Sequence, residues 1–331
     1  MDVLIFGAAG MIGRKLVQHL ARDGVLAGRE ITTLSLVDIT QPEKPAGFGG
    51  SMSLATFDIS DAGAVARCIA ARPDVIFDLA AVVSGEAEAD FEKGYRINLD
   101  GTRHLLEAIH HEGRKAPYRP RFVFTSSIAV FGAPFPELIG DEFFMTPLTS
   151  YGTQKAISEL LLADYTRRGF LDGIAIRLPT ICIRPGKPNK AASGFFSNIL
   201  REPLAGQEAV LPVSEDVRHW LASPRAAVGF LIHAASIDLA PLGARRALTM
   251  PGLAATVAEQ IEALRRVAGD KAVRLIRREP DAVITNIVAG WPRAFDSRRA
   301  LALGFRADAS FDDIIRIHVE DDLGGRLPVL Q

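Results

Sequence analysis

An α/β fold, a doubly wound parallel sheet carrying a smaller lobe, is predicted by three observations. Apolar strand-like runs recur through the first half of the chain with helical patterns between them, the first run breaks into a glycine turn, and the second ends on an acidic residue. The first run, Val3-Leu4-Ile5-Phe6, has no polar interruption and reads as a strand buried on both faces. It breaks at Gly7-Ala-Ala-Gly10-Met-Ile-Gly13, with a helix starting near Met11. Gly7 allows the tight turn, Gly10 lets a backbone approach a pyrophosphate with no Cβ in the way, and Gly13 lets the helix pack closely on the strand. Met11 and Ile12 then offer unpaired N–H groups of a helix N-terminus to an anion. The same glycines can also form a tight βα turn that binds nothing, so context decides. The second run, Thr33 to Val37, ends in Asp38, 25 residues beyond Gly13. A carboxylate there accepts from both adenosine ribose hydroxyls and repels a 2′-phosphate. No arginine follows in Ile39-Thr40-Gln41, so NAD is favoured over NADP.

Further strands are expected at Leu54 to Phe57, Val75 to Leu79, Phe122 to Thr125 and Ile174 to Leu178. Each ends where a ligand should sit on a parallel sheet. After Phe57, Asp58 either accepts from an adenine amino group or caps the helix Ala62 to Ala71, with Ile59 beside it. After the fourth strand, Leu79-Ala80-Ala81 is small enough to let a cofactor pass close over the backbone. Beyond Arg177 the sequence becomes rich in Pro, Gly and Lys, so a second lobe is expected to start there. The expected division is a nucleotide-binding domain over 1–180 with a returning segment at about 215–240, and a substrate lobe from 181–214 and 241–331. Helices are expected at Ser223 to Ala235 and Thr256 to Ala268, with a short helix and turn near Trp291 to Phe305.

The 331 residues suffice for a large core. With 38 basic and 39 acidic residues the net charge is −1, so no global field recruits nucleic acid or an anionic membrane. Cys68 and Cys182 stand in neither a CxxC nor a zinc-ligand spacing and read as reduced, buried thiols, and the adjacent His110 and His111 cannot share a metal as an i, i+4 pair does. No metal is expected. The first twenty residues lack a signal-peptide pattern, and no apolar run approaches the ~20 residues of a membrane span, so a cytoplasmic protein with small soluble partners is expected.

The chemically richest segment is Ser150-Tyr151-Gly-Thr-Gln-Lys155, opening a helix. Tyrosine and lysine four apart share one helix face. A free tyrosine titrates near ~10, and an adjacent ammonium favours its phenolate, which makes Tyr151 a candidate proton acceptor. A YxxxK pair also arises by chance on helices. Here it follows the strand Phe122-Val-Phe-Thr-Ser126-Ser127, whose terminal hydroxyls lie at the same sheet edge as the glycine turn. One of the two serines can hold a substrate oxygen against Tyr151.

Together GAAGMIG, Asp38, LAAVVS, Asn98-Leu-Asp-Gly101-Thr102, TSSIAVFG, Tyr151-x-x-x-Lys155 and Arg177-Leu-Pro-Thr-Ile resemble, in order and over nearly the whole chain, the extended short-chain dehydrogenases/reductases. The resemblance implies a Rossmann sheet, bound NAD, Tyr151 as acid/base, Lys155 supporting it and binding the nicotinamide ribose, and Ser127 orienting substrate. It further implies Ser126 and Asn98 as cofactor neighbours, Pro179 and Ile181 flanking the nicotinamide, and a homodimer through the helices near 92–112 and 151–167. Dehydratases of that family place an Asp-Glu pair where this chain has Ile128-Ala129, so dehydration is disfavoured. The expectation is NAD-dependent oxidation of a small 2-hydroxy sugar acid, with a nucleotide-sugar epimerase as the alternative. A substrate carboxylate calls for a bidentate arginine. Arg218 is the first candidate, unless it pairs with Asp216 or Glu215, and Ser84 and Asn189 are further candidates.

Overall fold

The computed structural model describes residues 1–186 and 192–327. The chain forms two units, the first from Met1–Val130, Met145–Leu178 and Val228–Leu248, the second from Phe131–Phe144, Pro179–Ala227 and Thr249–Gln331.

The first unit is built on β1 (Asp2–Phe6), β2 (Thr33–Asp38), β3 (Ser51–Thr56), β4 (Val75–Asp78), β5 (Arg121–Ser127), β6 (Asp172–Leu178) and β7 (Ala247–Thr249). Their order across the sheet is β7-β6-β5-β4-β1-β2-β3. All pairings from β3 through β6 are parallel. The order reverses between β1 and β4, where a doubly wound sheet opens a crevice at the carboxyl ends of its strands. The main helices are α1 (Met11–Asp23), α2 (Ala62–Ile69), α3 (Ser84–Ala89), α4 (Gly101–Lys115), α5 (Ser150–Arg167) and α6 (Pro224–Ser236), which belongs to this unit from Val228 on. One core cluster gathers Phe6, Ile59, Val65, Leu105, Ile109, Phe122, Phe124 and Leu162.

Every strand expected for the sheet is present, and the differences lie at edges. β3 starts at Ser51 rather than Leu54. It is an edge strand paired only with β2, and its Ser51, Ser53 and Leu54 are exposed, so the sequence there lacks the unbroken apolar run of a central strand. β4 stops at Asp78, one residue early.

In the second unit, Arg218–Ala222 pairs parallel with Thr180–Ile181 and antiparallel with Leu253–Thr256. Thr256 and Glu259 form a capping box that opens the helix Val257–Ala268, whose buried face joins Phe195, Phe196, Leu221 and Phe311 in a second core. The unit boundaries differ from the expected ones. Residues 131–144 belong to the second unit because Ile139–Gly140 pairs with Phe295–Asp296, a strand where a helix and turn were expected. The returning segment is Val228–Leu248: Arg121 of β5 donates to the Ala234 and Ile237 carbonyls at the end of α6, and the chain then continues into β7.

Candidate functional site

At the end of β1, Gly7 adopts φ +81°, and a Cβ on it would lie 2.8 Å from the Ala80 nitrogen and the Leu79 carbonyl carbon. A Cβ on Gly13 would lie 2.0 Å from the Gly7 carbonyl oxygen. The turn and the first turn of α1 therefore exist only with hydrogen at those positions, and the strand ends of β1 and β4 touch through bare backbone. Gly10 is the N-cap of α1, and no side chain caps that helix. Met11 and Ile12 form its first turn. Asp38 at the end of β2 faces this turn, with Oδ2 accepting from the Ala9 N–H at 2.9 Å and Oδ1 from the Thr40 N–H at 3.0 Å. A side-chain-free cradle, an uncapped helix start and an aspartate at the next strand end fit a dinucleotide, whose pyrophosphate the turn would hold and whose adenosine ribose Asp38 would meet.

Other expected cofactor residues act through their backbone or through neighbours. Asp58 accepts from the Ser60 N–H, and the N-cap of α2 is Asp61, not Asp58. Ile59 is buried beneath Gly101, the first residue of α4. Asn98 lies in a π-helical turn, Tyr95–Asp100, and its amide is fully buried. Its Oδ1 accepts from the Val82 N–H and its Nδ2 donates to the Val82 carbonyl and to Gln154. Asn98 thus clamps the segment that follows Leu79-Ala80-Ala81 rather than presenting its amide to a ligand.

Helix α5 opens at the N-cap Thr149, whose hydroxyl accepts from the Gly152 N–H, and this places Tyr151 in the first turn. Gly152 is required here, since a Cβ would lie 2.2 Å from the Ala129 carbonyl oxygen. One turn on, the Lys155 ammonium is buried, donates to the Thr125 carbonyl at 2.8 Å, and stands 5.8 Å from the Tyr151 ring centroid. Burial lowers the Lys155 pKa to about 8, opposed by the charges of Asp78 and Glu159. Burial also raises Asp78 to about 6, opposed first by Lys155 and then by the hydrogen bond from Thr102.

The two serines separate. Ser126 donates to Glu159 at 2.5 Å inside the core, so its hydroxyl is unavailable to a cofactor, and only its backbone can serve that expectation. Ser127, partly exposed at the strand end, accepts from the Ala129 N–H at 3.1 Å. Glu159 is also held by Arg177, with the shortest contact at 2.7 Å. Sequence reasoning missed Asp78, Gly152 and Glu159. Only Glu159 carried a signal, its i+4 spacing from Lys155.

Ser84 begins α3, and Glu88 on that helix accepts from the Ser150 N–H at the start of α5. In the second unit, Pro179 precedes the strand containing Ile181. Arg218 donates to the Ala254 carbonyl and lies 3.5 Å from Glu259, not paired with Asp216 or Glu215 as the sequence alternative had it. Its neighbour His219 is buried between Phe196 and Trp291, bonded to Thr180 and to the Pro292 carbonyl. Asn189 lies outside the described residues. Among the described residues, no group of three His, Cys, Asp or Glu side chains could hold a metal, and no helix is long and apolar enough to cross a membrane.

A family model described as the NAD dependent epimerase/dehydratase family matches residues 3–237. The D-erythronate dehydrogenase of Cupriavidus necator is 47% identical over 326 residues, covering 97% of this chain and 98% of that protein. The D-erythronate dehydrogenase of Haemophilus influenzae is 43% identical over 324 residues, covering 98% of this chain and all of that protein. A crystal structure described as a nucleoside-diphosphate-sugar epimerase from Agrobacterium tumefaciens is 65% identical with a TM-score of 0.97, over 99% of this chain and 96% of that one.

Proposed function

Since the chain belongs to the NAD-dependent epimerase/dehydratase family, we propose that it is a dehydrogenase that oxidises D-erythronate at C2 to 2-dehydro-D-erythronate. The observation that carries the chemistry is the buried Lys155 ammonium beside Tyr151 at the end of the strand that bears Ser127. The choice of substrate is supported by the two nearly full-length relatives named for it.

In this reading Tyr151 takes the proton of the substrate C2 hydroxyl, because a neighbouring ammonium favours the phenolate over the phenol. Lys155 supplies that charge, and its bond to the Thr125 carbonyl fixes where the charge sits. The Ser127 hydroxyl, at the strand end, orients the reacting oxygen. Bound NAD supplies the acceptor for the hydride that leaves the same carbon. The residues that would hold it are the Gly7 to Gly13 turn, Asp38 and the Leu79-Ala80-Ala81 backbone, with Lys155 reaching the nicotinamide ribose and Pro179 and Ile181 flanking the ring. Arg218 remains the carboxylate donor of the proposal, exchanging Glu259 for substrate, with Ser84 and Asn189 as further polar contacts. The reading includes a cytoplasmic homodimer through the helices near 92–112 and 151–167, where Leu160 of α5 stands 61% exposed.

A second reading, a nucleotide-sugar epimerase, is favoured by the description of the Agrobacterium structure. An epimerase retains its cofactor through the cycle and releases no net NADH. Purified protein with NAD is therefore offered D-erythronate, erythritol, L-threonine and UDP-galactose, with absorbance followed at the NADH band. Stoichiometric NADH from D-erythronate, little from the others, supports the dehydrogenase. Interconversion of the UDP-sugar without NADH overturns it.

A further inference from the structure

We propose that Glu159 is a positioning residue for the reaction, a buried carboxylate that sets the strand end bearing Ser127 and steadies the charge on Lys155; the proposal rests on the dehydrogenase reading above. Ser126 of β5 and Arg177 of β6 are directly paired in the sheet register, so their side chains leave the same face. Both end on Glu159. Ser126 Oγ donates to Oε1 at 2.5 Å, Arg177 Nε donates to Oε1 at 2.9 Å and Oε2 at 3.2 Å, and Arg177 Nη2 donates to Oε2 at 2.7 Å. A single carboxylate from α5 therefore holds two adjacent strands at their carboxyl ends.

Side chains alternate along a strand, so Ser127 and its partner Leu178, next in the register, face away from Glu159. A strand end free to twist would rotate both serines together. Fixing Ser126 from below fixes the direction of Ser127 above, where its Oγ accepts from the Ala129 N–H. A buried ion pair is weak evidence of a stabilising role, because apolar replacements of similar volume are often neutral. What marks this one is its third partner, the residue next to the substrate-orienting serine.

Glu159 also follows Lys155 by one helical turn on the same face. The charged and titratable groups around Lys155 are Asp78 from β4, Tyr151 and Glu159 from α5, and Arg177 from β6 behind Glu159. Both carboxylates favour the ammonium against burial. Loss of Glu159 removes one of them.

Two variants test the two roles. Ser126→Ala removes the strand-end bond while keeping the ion pair and the Ser127 hydroxyl. The expected result is a fall in kcat of about tenfold on D-erythronate with the KM for NAD within about twofold. A kcat within about twofold of the parent, with only a lower Tm, would show a purely structural bond and overturn the positioning of Ser127. Glu159→Gln alone strands the Arg177 charge and risks unfolding, so the charge role is read in the double variant Glu159→Met, Arg177→Met. There the Lys155 ammonium, followed by 15N NMR with Lys155→Met as the blank, should titrate roughly half a pH unit or more below its parent midpoint. An unchanged midpoint overturns that role. If the parent makes no NADH from D-erythronate, the dehydrogenase reading fails alone. The Lys155 titration needs no turnover and still decides the charge role.

Discussion

At the carboxyl end of β1 the chain makes room for a ligand by leaving side chains out, whereas at the ends of β4, β5 and β6 it buries Asp78, Lys155, Glu159 and Arg177 around one helix. The two regions belong to one sheet and rest on opposite physics. In the glycine turn the constraint is steric and short-ranged, and it costs nothing in desolvation because the turn adds no charge. In the charged floor each ion has left water, a cost recovered only through directed partners such as the Thr125 carbonyl for Lys155 and the paired oxygens of Glu159 for Arg177. One region can be broken by adding a methyl group, the other by removing or neutralising a charge.

The largest effect is expected at the charged end. Tyr151→Phe removes the proposed proton acceptor while keeping the ring, so kcat should fall by at least about 1,000-fold with NAD affinity within a few-fold. Steady-state NADH formation and NAD titration measure the two quantities, and retention of a tenth of the rate would rule out the role. Next is the steric end. In Gly13→Ala the new Cβ must displace the Gly7 carbonyl from 2.0 Å, so α1 shifts and NAD binding should weaken by about 10- to 100-fold, consistent with an overpacking cost of about 1–3 kcal/mol. Calorimetric binding of NAD checks it, and a Kd within threefold of the parent would mean the turn yields more easily than its geometry implies.

The same contrast decides what was readable in advance. The glycine turn, Asp38 and the Tyr151–Lys155 pair were legible because each constraint lies within a few residues of chain or at a strand end visible as an apolar run. The floor was not. Glu159 meets Ser126 and Arg177 across separations of 33 and 18 residues, and nothing local in either segment names the other. The ambiguity between Ser126 and Ser127 had the same root, since period-2 alternation cannot say which face is buried until the helix above it is placed. Arg218 found Glu259 rather than a neighbour in sequence because antiparallel pairing sets Arg218 opposite Thr256, the cap of the helix that bears Glu259. Asp58, three residues before Asp61, lost the cap to it because α2 starts one residue after Asp61.

A smaller effect sharpens the comparison at Asp38, the carboxylate that accepts from the glycine turn. Asp38→Ala removes the acceptor for the Ala9 and Thr40 N–H groups and the proposed acceptor for the ribose hydroxyls. Charge-assisted hydrogen bonds of this kind are worth about 1.5–3 kcal/mol, so NAD should bind roughly tenfold more weakly or worse, while NADP, relieved of repulsion, changes less. Comparing kcat/KM for the two cofactors tests it, and an undiminished preference for NAD would move discrimination elsewhere.

The last effect, on stability rather than rate, separates the two regions by pH. Burial raises Asp78 from 3.8 to about 6. Between those values the folded state holds a proton that the unfolded state has lost, so this group's contribution to stability falls as pH rises through the window. Above it the penalty is complete, on the order of 3 kcal/mol at about 1.4 kcal/mol per pH unit. Asp78→Asn cannot ionise and keeps an acceptor for Thr102, so its Tm should exceed that of the parent by a few degrees at pH 7.5, with the gap closing toward pH 4.5. The Tm loss in Gly13→Ala, which is steric and involves no titrating group, should stay constant over the same range. Thermal melts of parent and both variants across that range decide the matter: a gap for Asp78→Asn that is absent at pH 7.5, or that widens on acidification, would show that Asp78 is not the strained charge of the buried floor.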